Sequence, residues 1–455
     1  MPKPYSGEIS PEISELADKA RAADVIENEL YQKYDVKRGL RDLNGRGVLA
    51  GLTHISEPRA TKVVDGEVVP DYGRLFYRGY DVKDLIAGFQ KRGTFGFEEV
   101  SYLLLFGSLP NQEQLDRFAE QLLEYRSLPT SFTRDTIMKA ASTDIMNTIS
   151  RSVLTLYAYD ENANDVSLPN VVRQCMQLIS RFPLISVYGY AASRYYYADD
   201  SLYLVPPLED GSFAQNVLHI LRPDGNFTEL EAKALDAALI LHMDHGGGNN
   251  STFTTHVVSS SMTDTYSVMA AALGSLKGPR HGGANIKVSL MFDDLKEQVR
   301  DWEDEDEINA YLSSLLNREG FDQSGLIYGV GHAVYSKSDP RSEILEEYTG
   351  KLAEESGRSD EFRLHQTVAR LAVKQIEERR HIYKGVCTNV DFYSGFLYEM
   401  LGLPKELYTP LFAMARIVGW SAHRIEELSN ASKIIRPAFK SIEPDHEYIP
   451  MDERE

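Results

Sequence analysis

Apolar positions recur three and four residues apart along most of this chain, the spacing of helices that bury one face. Phe97 to Phe106 is an apolar run that stops at Gly107 with Pro110 close behind, which predicts a helix C-terminus. Asn111 with Gln114 then supplies an N-cap and its reciprocal partner, ahead of a face marked by Leu115, Phe118, Leu122 and Leu123. Thr228 with Glu231 opens a further helix through Leu235 and Leu239. Ile308, Leu312 and Leu315 stripe another, and Val368, Leu371, Ala372 and Ile376 one more. The first forty residues are polar and helix-permissive, and are expected to pack loosely. The helical grammar breaks between Gly51 and Tyr80, where β-branched residues flank Asp65-Gly66 in TKVVDGEVV and predict a hairpin with a two-residue turn. Strands do not alternate with helices, so a parallel-sheet α/β fold is disfavoured. The expected class is mainly α, with a small β-hairpin near the N-terminus.

Composition narrows this picture only at its edges. At 455 residues the chain has room for roughly two to three domains by the usual length prior, and for a large core. No run approaches the ~18 apolar residues of a membrane span. The N-terminal stretch mixes acids and bases without an apolar core, so a cytoplasmic protein is expected. Cys175 and Cys387 are the only cysteines, too few for a disulfide framework, and read as buried thiols. The net charge of −20 argues against general nucleic-acid binding, so basic contacts to any polyanionic ligand must be local. No internal repeat is evident, and the acidic cluster Glu303 to Glu307 reads as a solvated helix start. A domain boundary is expected just after His281, with a return to the first domain near Asp391. The units are then 1–281, an inserted 282–390, and 391–455.

The candidate chemistry sits in glycine-bearing loops. GPRHGGAN sets His281 between glycines, VGHAVYSKSDPR carries His332 and Arg341, and NVDFYSG carries Asp391; the three are expected to converge on one site. Singly, each has a plainer reading: a structural histidine, or for Asp391 an ordinary N-cap. Upstream, LHMDHGGGNN places His242 and His245 three apart at a helix end. That pair admits a zinc site with Asp244, a structural role at the helix-terminal carbonyls, or an anion site beside the glycine run. Arg341 ends SDPR, and Arg416 lies in the apolar stretch FAMARIVGW. An arginine in such a setting needs an anionic partner, either an internal acid or a small dicarboxylate held in bidentate fashion. Arg436, in KIIRPAF, lies near the C-terminus and could reach a neighbouring subunit.

In order and spacing, LHMDHGGGN, GPRHGGAN, GVGHAVYSKSDPR, NVDFYSGF and FAMARIVGW resemble the signature segments of the citrate synthase family, over a span from about Tyr77 to Pro437. The resemblance implies a nearly all-helical, two-domain homodimer with its active site in the interdomain cleft. It also implies condensation of acetyl-CoA with oxaloacetate and hydrolysis of the citryl-CoA thioester, with neither metal nor redox cofactor. Carried over by residue, Asp391 is the base, His281 the donor to the thioester oxygen, and His332 the group that holds and protonates the oxaloacetate carbonyl oxygen. Dicarboxylate binding falls to His245, Arg341 and Arg416, with Arg436 entering from the partner subunit.

For coenzyme A the resemblance implies the loop Leu326, Ile327, Gly329, Val330 and Gly331, Asn389 beside the base, and Lys337 as a phosphate contact. Ser336 stands where animal members carry arginine, so the phosphate partners differ from that branch. Ser251 matches a serine that orients the first catalytic histidine, against the plainer reading of a helix N-cap. A 2-methylcitrate synthase acting on propionyl-CoA would use the same residues, because one methylene changes discrimination by only about 1–3 kcal/mol. A catalytically silent helical dimer that binds CoA or dicarboxylates, and a metal-dependent hydrolase using His242 and His245, are the more distant alternatives.

Overall fold

The computed structural model describes residues 9–42, 47–380, 385–430 and 433–454. The chain divides into two compact units, Met1–Gly51 and Leu52–Glu455. In the first, the Ser10 hydroxyl accepts from the Ile13 amide to cap α1 (Pro11–Asp24), and α2 (Asn28–Lys33) follows; neither helix buries a residue. That fits a segment whose polar composition offers no apolar stripe.

The second unit opens with an antiparallel sheet of β1 (Ser56–Val64), β2 (Glu67–Tyr77) and β3 (Tyr80–Asp81), in the order β1-β2-β3. Val64 pairs with Glu67 across the turn, and Asp65 (φ 52°) and Gly66 (φ 84°) both take left-handed backbone. A two-residue turn of this hand matches strand twist, and Asp-Gly is the pair that tolerates it. The hairpin expected from TKVVDGEVV is therefore present.

Helices make up the rest, fifteen in this unit among the described residues. Next come α3 (Val82–Arg92), α4 (Phe97–Phe106), α5 (Gln112–Glu124), α6 (Ile145–Leu156) and α7 (Leu168–Tyr197). Gly107 closes α4 in the left-handed conformation, and Asn111 with Gln114 forms the expected capping box on α5. Then follow α8 (Phe213–Leu221), α9 (Glu229–His242), α10 (Asn250–Ser259) and α11 (Thr265–Lys277). Thr228 and Glu231 box the start of α9. Beyond His281 lie α12 (Ala284–Gln298), α13 (Glu305–Leu316), α14 (Pro340–Glu355), α15 (Ser359–Arg380), α16 (Val390–Met400) and α17 (Tyr408–Ser429). The acidic cluster caps α13 through Asp304, with its carboxylates at the positive end of the helix dipole. Cys175 and Cys387 are buried free thiols, and among the described residues no helix is long and apolar enough to cross a membrane.

One helix organises the core of this unit. α17 packs against α4, α7, α9, α10 and α11, and its residues from Tyr408 to Arg424 are buried with the exception of Phe412. Its backbone comes so close to the turn after α9 that a Cβ on Gly419 would lie 2.2 Å from the Met243 carbonyl oxygen and 2.6 Å from Asp244 Oδ1. Only glycine permits that approach. Gly419→Ala is expected to lower stability by about 1–3 kcal/mol through overpacking, read as a reduced urea midpoint at unchanged m-value.

Candidate active site

The turn that follows α9 carries the first group of site residues. His242 ends the helix, and its Nδ1 lies 2.7 Å from the Ala238 carbonyl, so it donates one turn back. Burial holds its pKa down at about 3, and the ring is neutral. Tyr77 Oη donates to the carbonyls of Ile240 and Asp244, tying the turn to β2. His245 lies buried just beyond, with its Nε2 meeting no hydrogen-bond partner in the protein. Its ring packs edge-on against His332 at 5.1 Å and Tyr335 at 5.5 Å. Burial and the charges of Arg341 and Arg416 push its pKa well below the usual imidazole range.

Two guanidinium groups flank these rings. Asp339 caps α14 with Pro340 in the first turn, an arrangement that sets Arg341 one residue further on. Arg341 Nε and Nη2 donate to the two oxygens of Asp339 at 3.0 and 2.7 Å, and both residues are buried. This is the internal acid that an arginine in such a setting requires. Arg416 has none in contact: its Nε donates to the His242 carbonyl at 2.7 Å, and its buried Nη1 has no partner in the protein. Burial brings the Arg416 pKa down to about 10, so it remains a cation. Two enclosed nitrogens without partners, His245 Nε2 and the guanidinium Nη1 of Arg416, suit a small anion once the imidazole proton sits on Nε2, because an unsatisfied buried polar group costs about 1–3 kcal/mol.

His332 Nδ1 accepts from the amides of Val334 and Tyr335 at 3.0 and 3.2 Å. The proton of the neutral ring therefore sits on Nε2, which faces Arg341 Nη2 at 3.4 Å. Two N–H groups converging in this way suit one oxygen acceptor between them.

His281 lies in the turn between α11 and α12. Gly282 is required there for packing: a Cβ would fall 2.4 Å from the Leu276 carbonyl oxygen and 2.9 Å from the Thr409 side chain. His281 Nε2 meets Ser251 Oγ at 3.0 Å, and the serine hydroxyl accepts from Trp420 Nε1 at 3.1 Å and donates to Asn249 Oδ1 at 3.0 Å. Ser251 sits inside α10, which Asn249 precedes at the cap position, so the plain N-cap reading does not hold. Burial, reinforced by Arg416, lowers the His281 pKa to about 4 and keeps the ring neutral. Phe412 joins the two, with Arg416 Cζ 4.6 Å and the His281 ring 6.2 Å from its centroid.

Asp391 occupies the first turn of α16, and the N-cap is Asn389, whose Oδ1 accepts from the Asp391 amide at 3.0 Å. The ordinary-cap reading of Asp391 is thereby corrected. Removal from water raises its carboxyl pKa to about 6, with Arg341 opposing and Asp339 reinforcing the shift. His332 and His245 adjoin Arg341, and Phe412 lies between Arg416 and His281.

The loop expected to meet coenzyme A is tied to the same helix start. Val330 bridges Thr388; Gly331 N donates to the Cys387 carbonyl and Asn389 N to the Gly329 carbonyl. Asn389 Nδ2 donates to the Gly331 carbonyl at 2.9 Å. Gly329 (φ 79°) packs where a Cβ would meet Phe392 at 2.9 Å; Ile327 is buried and Leu326 half exposed. Two further expected residues lie at the surface of the single chain. Lys337 is exposed, with Nζ 5.7 Å from the Tyr72 ring centroid, and Arg436 lies exposed on the irregular segment after α17. Asp339 and Trp420 were missed from sequence, although the N-cap pattern Asp-Pro-Arg and the four-residue spacing from Arg416 both mark them.

Fold and site together define a mainly helical enzyme with a cationic, anion-accepting floor and a carboxylate of raised pKa beside it. The family model for the citrate synthase C-terminal domain matches residues 42–438. The citrate synthase of Haloferax volcanii is 34% identical, over 92% of this chain and 99% of that one. The 2-methylcitrate synthase of Shewanella oneidensis is 32% identical, over 80% and 87%. Among solved structures, the ternary complex of carboxymethyl coenzyme A and oxaloacetate with citrate synthase from Thermoplasma acidophilum superposes with a TM-score of 0.75, at 26% identity over 92% of this chain and 99% of that one. The chain belongs to the citrate synthase family.

Asn389→Ala removes a helix cap and the tie to Gly331 together. Stability is expected to fall by about 1–2 kcal/mol, with faster hydrogen exchange at the Gly331 amide; unchanged exchange there would refute the tie.

Proposed function

We propose that the protein condenses acetyl-CoA with oxaloacetate and then hydrolyses the citryl-CoA thioester to citrate and CoA, an acyl transfer in which the acyl group becomes alkyl. The observation that carries this reading is the pairing of a floor of enclosed cationic and N–H donors with Asp391, a carboxylate whose pKa is raised to about 6. A thioester α-proton is weakly acidic, so its removal needs a base and a donor to the carbonyl oxygen at once. Asp391 takes that proton. Trp420 can only donate to Ser251 Oγ, whose proton goes to Asn249 Oδ1 in the unliganded chain; when that proton turns to His281 Nε2, the imidazole proton sits on Nδ1 and serves the developing enol oxygen. The enol carbon attacks the ketone carbon of oxaloacetate, whose oxygen takes a proton from His332 Nε2. Water then cleaves the thioester and releases CoA.

Arg341, Arg416 and His245 hold the two carboxylates of oxaloacetate, and a homodimer supplies Arg436 from the partner subunit. The backbone from Leu326 to Gly331, with Asn389, receives the coenzyme, and Lys337 its phosphates. The reaction runs in a cleft between a large domain, 1–281 with 391–455, and a small domain, 282–390, in a cytoplasmic enzyme. It calls for no metal or redox cofactor.

Asp391→Ala is expected to lower kcat by about 10²–10⁴-fold, while oxaloacetate still raises the melting temperature; full turnover in this variant would overturn the mechanism. The base acts as the carboxylate, so kcat/KM should fall as pH drops through about 6, the raised pKa of Asp391. Loss of His281 neutrality sets in only near 4. The likeness to the Shewanella oneidensis 2-methylcitrate synthase supports a second reading with propionyl-CoA. The ratio of kcat/KM for the two thioesters decides between them.

A further inference from the structure

Behind the oxaloacetate floor lies a second cluster that the proposed reaction does not use. His256 on α10 and His423 on α17 face each other with Nε2 and Nδ1 3.0 Å apart. Glu426 Oε2 lies 3.7 Å from His423 Nδ1; its side chain is nine-tenths buried, and this oxygen meets no hydrogen-bond donor, while its Oε1 accepts from the His54 amide. Among the described residues this is the one group of three such side chains with ligand atoms within 4.8 Å of one another.

The outer nitrogens decide the protonation of the inner ones. His256 Nδ1 faces Glu427 Oε2 at 2.7 Å, and His423 Nε2 faces Asp244 Oδ2 at 3.1 Å. Ser56 Oγ and the Gly246 amide also donate to Asp244 Oδ2. A neutral imidazole that donates from one nitrogen presents a lone pair at the other. His256 Nε2, His423 Nδ1 and Glu426 Oε2 are then three electron-rich atoms turned toward one point, with two more carboxylates behind them. One shared proton satisfies two of the three and leaves Glu426 Oε2 bare.

We propose that His256 Nε2, His423 Nδ1 and Glu426 Oε2 bind a divalent cation of the zinc type, with water in the remaining position. Zinc holds such donors at about 2.0–2.2 Å, which places tetrahedral ligands about 3.3–3.6 Å apart; the His256–His423 and His423–Glu426 separations of 3.0 and 3.7 Å straddle that range, and all three ligand atoms lie within 4.8 Å of one another. Each histidine passes its other N–H to a carboxylate, the arrangement that orients metal-bound imidazoles and raises their basicity. His54, whose amide donates to Glu426 Oε1, lines a surface depression with Thr53 and Ser56. The cation is structural. It ties α17 to α10 and, through His423 and Asp244, braces the turn that carries His245.

The test is zinc loading of the full-length protein, desalting and elemental analysis, together with the visible absorption of cobalt(II) in the same site. Wild type should retain about one equivalent per chain and show cobalt d–d bands in line with tetrahedral N/O ligation. His256→Gln and Glu426→Gln should lose both signals. Glu427→Gln, which keeps all three ligands, should weaken binding by about 10–100-fold. Zinc should raise the melting temperature of wild type and leave that of His256→Gln unmoved, with circular dichroism confirming that each variant folds. No retained zinc in wild type, or equal retention in His256→Gln, overturns the proposal and leaves a proton shared between two histidines.

Discussion

The α17 backbone closes on the Met243 carbonyl because position 419 is a glycine, and this approach governs the geometry of the site. It sets the distance between α17 and the turn after α9, and with it the reach of every side chain on one stripe of that helix. Arg416, Trp420, His423 and Glu427 are spaced by four, three and four residues and so share that stripe. Arg416 meets the His242 carbonyl, Trp420 the hydroxyl that holds His281, His423 the Asp244 carboxylate, and Glu427 the His256 ring. A single rigid helix thus positions the anion-binding floor, one proposed catalytic imidazole and the second histidine cluster.

Exclusion of water does the electrostatic work around these groups. Burial acts against whichever form is charged, so it raises Asp391 and lowers His281, His242 and His245 from their ordinary ranges. The outcome is a carboxylate basic enough to accept a proton near neutral pH and imidazoles that stay neutral donors. The two arginines divide differently. Arg341 is held by Asp339 in a bidentate pair, whereas Arg416 keeps one buried N–H without an acceptor and so retains capacity for a ligand. A pair that is already satisfied gives geometry, and the unsatisfied one gives affinity.

Much of this is legible in the sequence. The mainly helical class, the Asp65-Gly66 hairpin, the capping boxes at Asn111 and Thr228 and the end of α4 at Gly107 follow from local rules, which act over a few residues and leave a sequence pattern. The site types were legible too, as histidines, arginines and one aspartate in glycine-bearing or apolar settings. Local cap assignments proved less secure: Asp391 and Ser251 each sit inside a helix whose cap is the asparagine two residues earlier.

Which residues carry charge and chemistry, and which local segments are helix or turn, is written in the chain, because those depend on residue type and short-range spacing. Tertiary structure alone decided which of them meet. That His281 rests on Ser251 and Trp420, that Asp339 takes Arg341 while Arg416 stays open, and that His256 faces His423 are contacts between residues far apart in the chain, with Asp339 and Arg341 the exception. Their protonation is likewise a property of enclosure. Burial and neighbouring charge arise only when the helices pack, and no pattern along the chain encodes them.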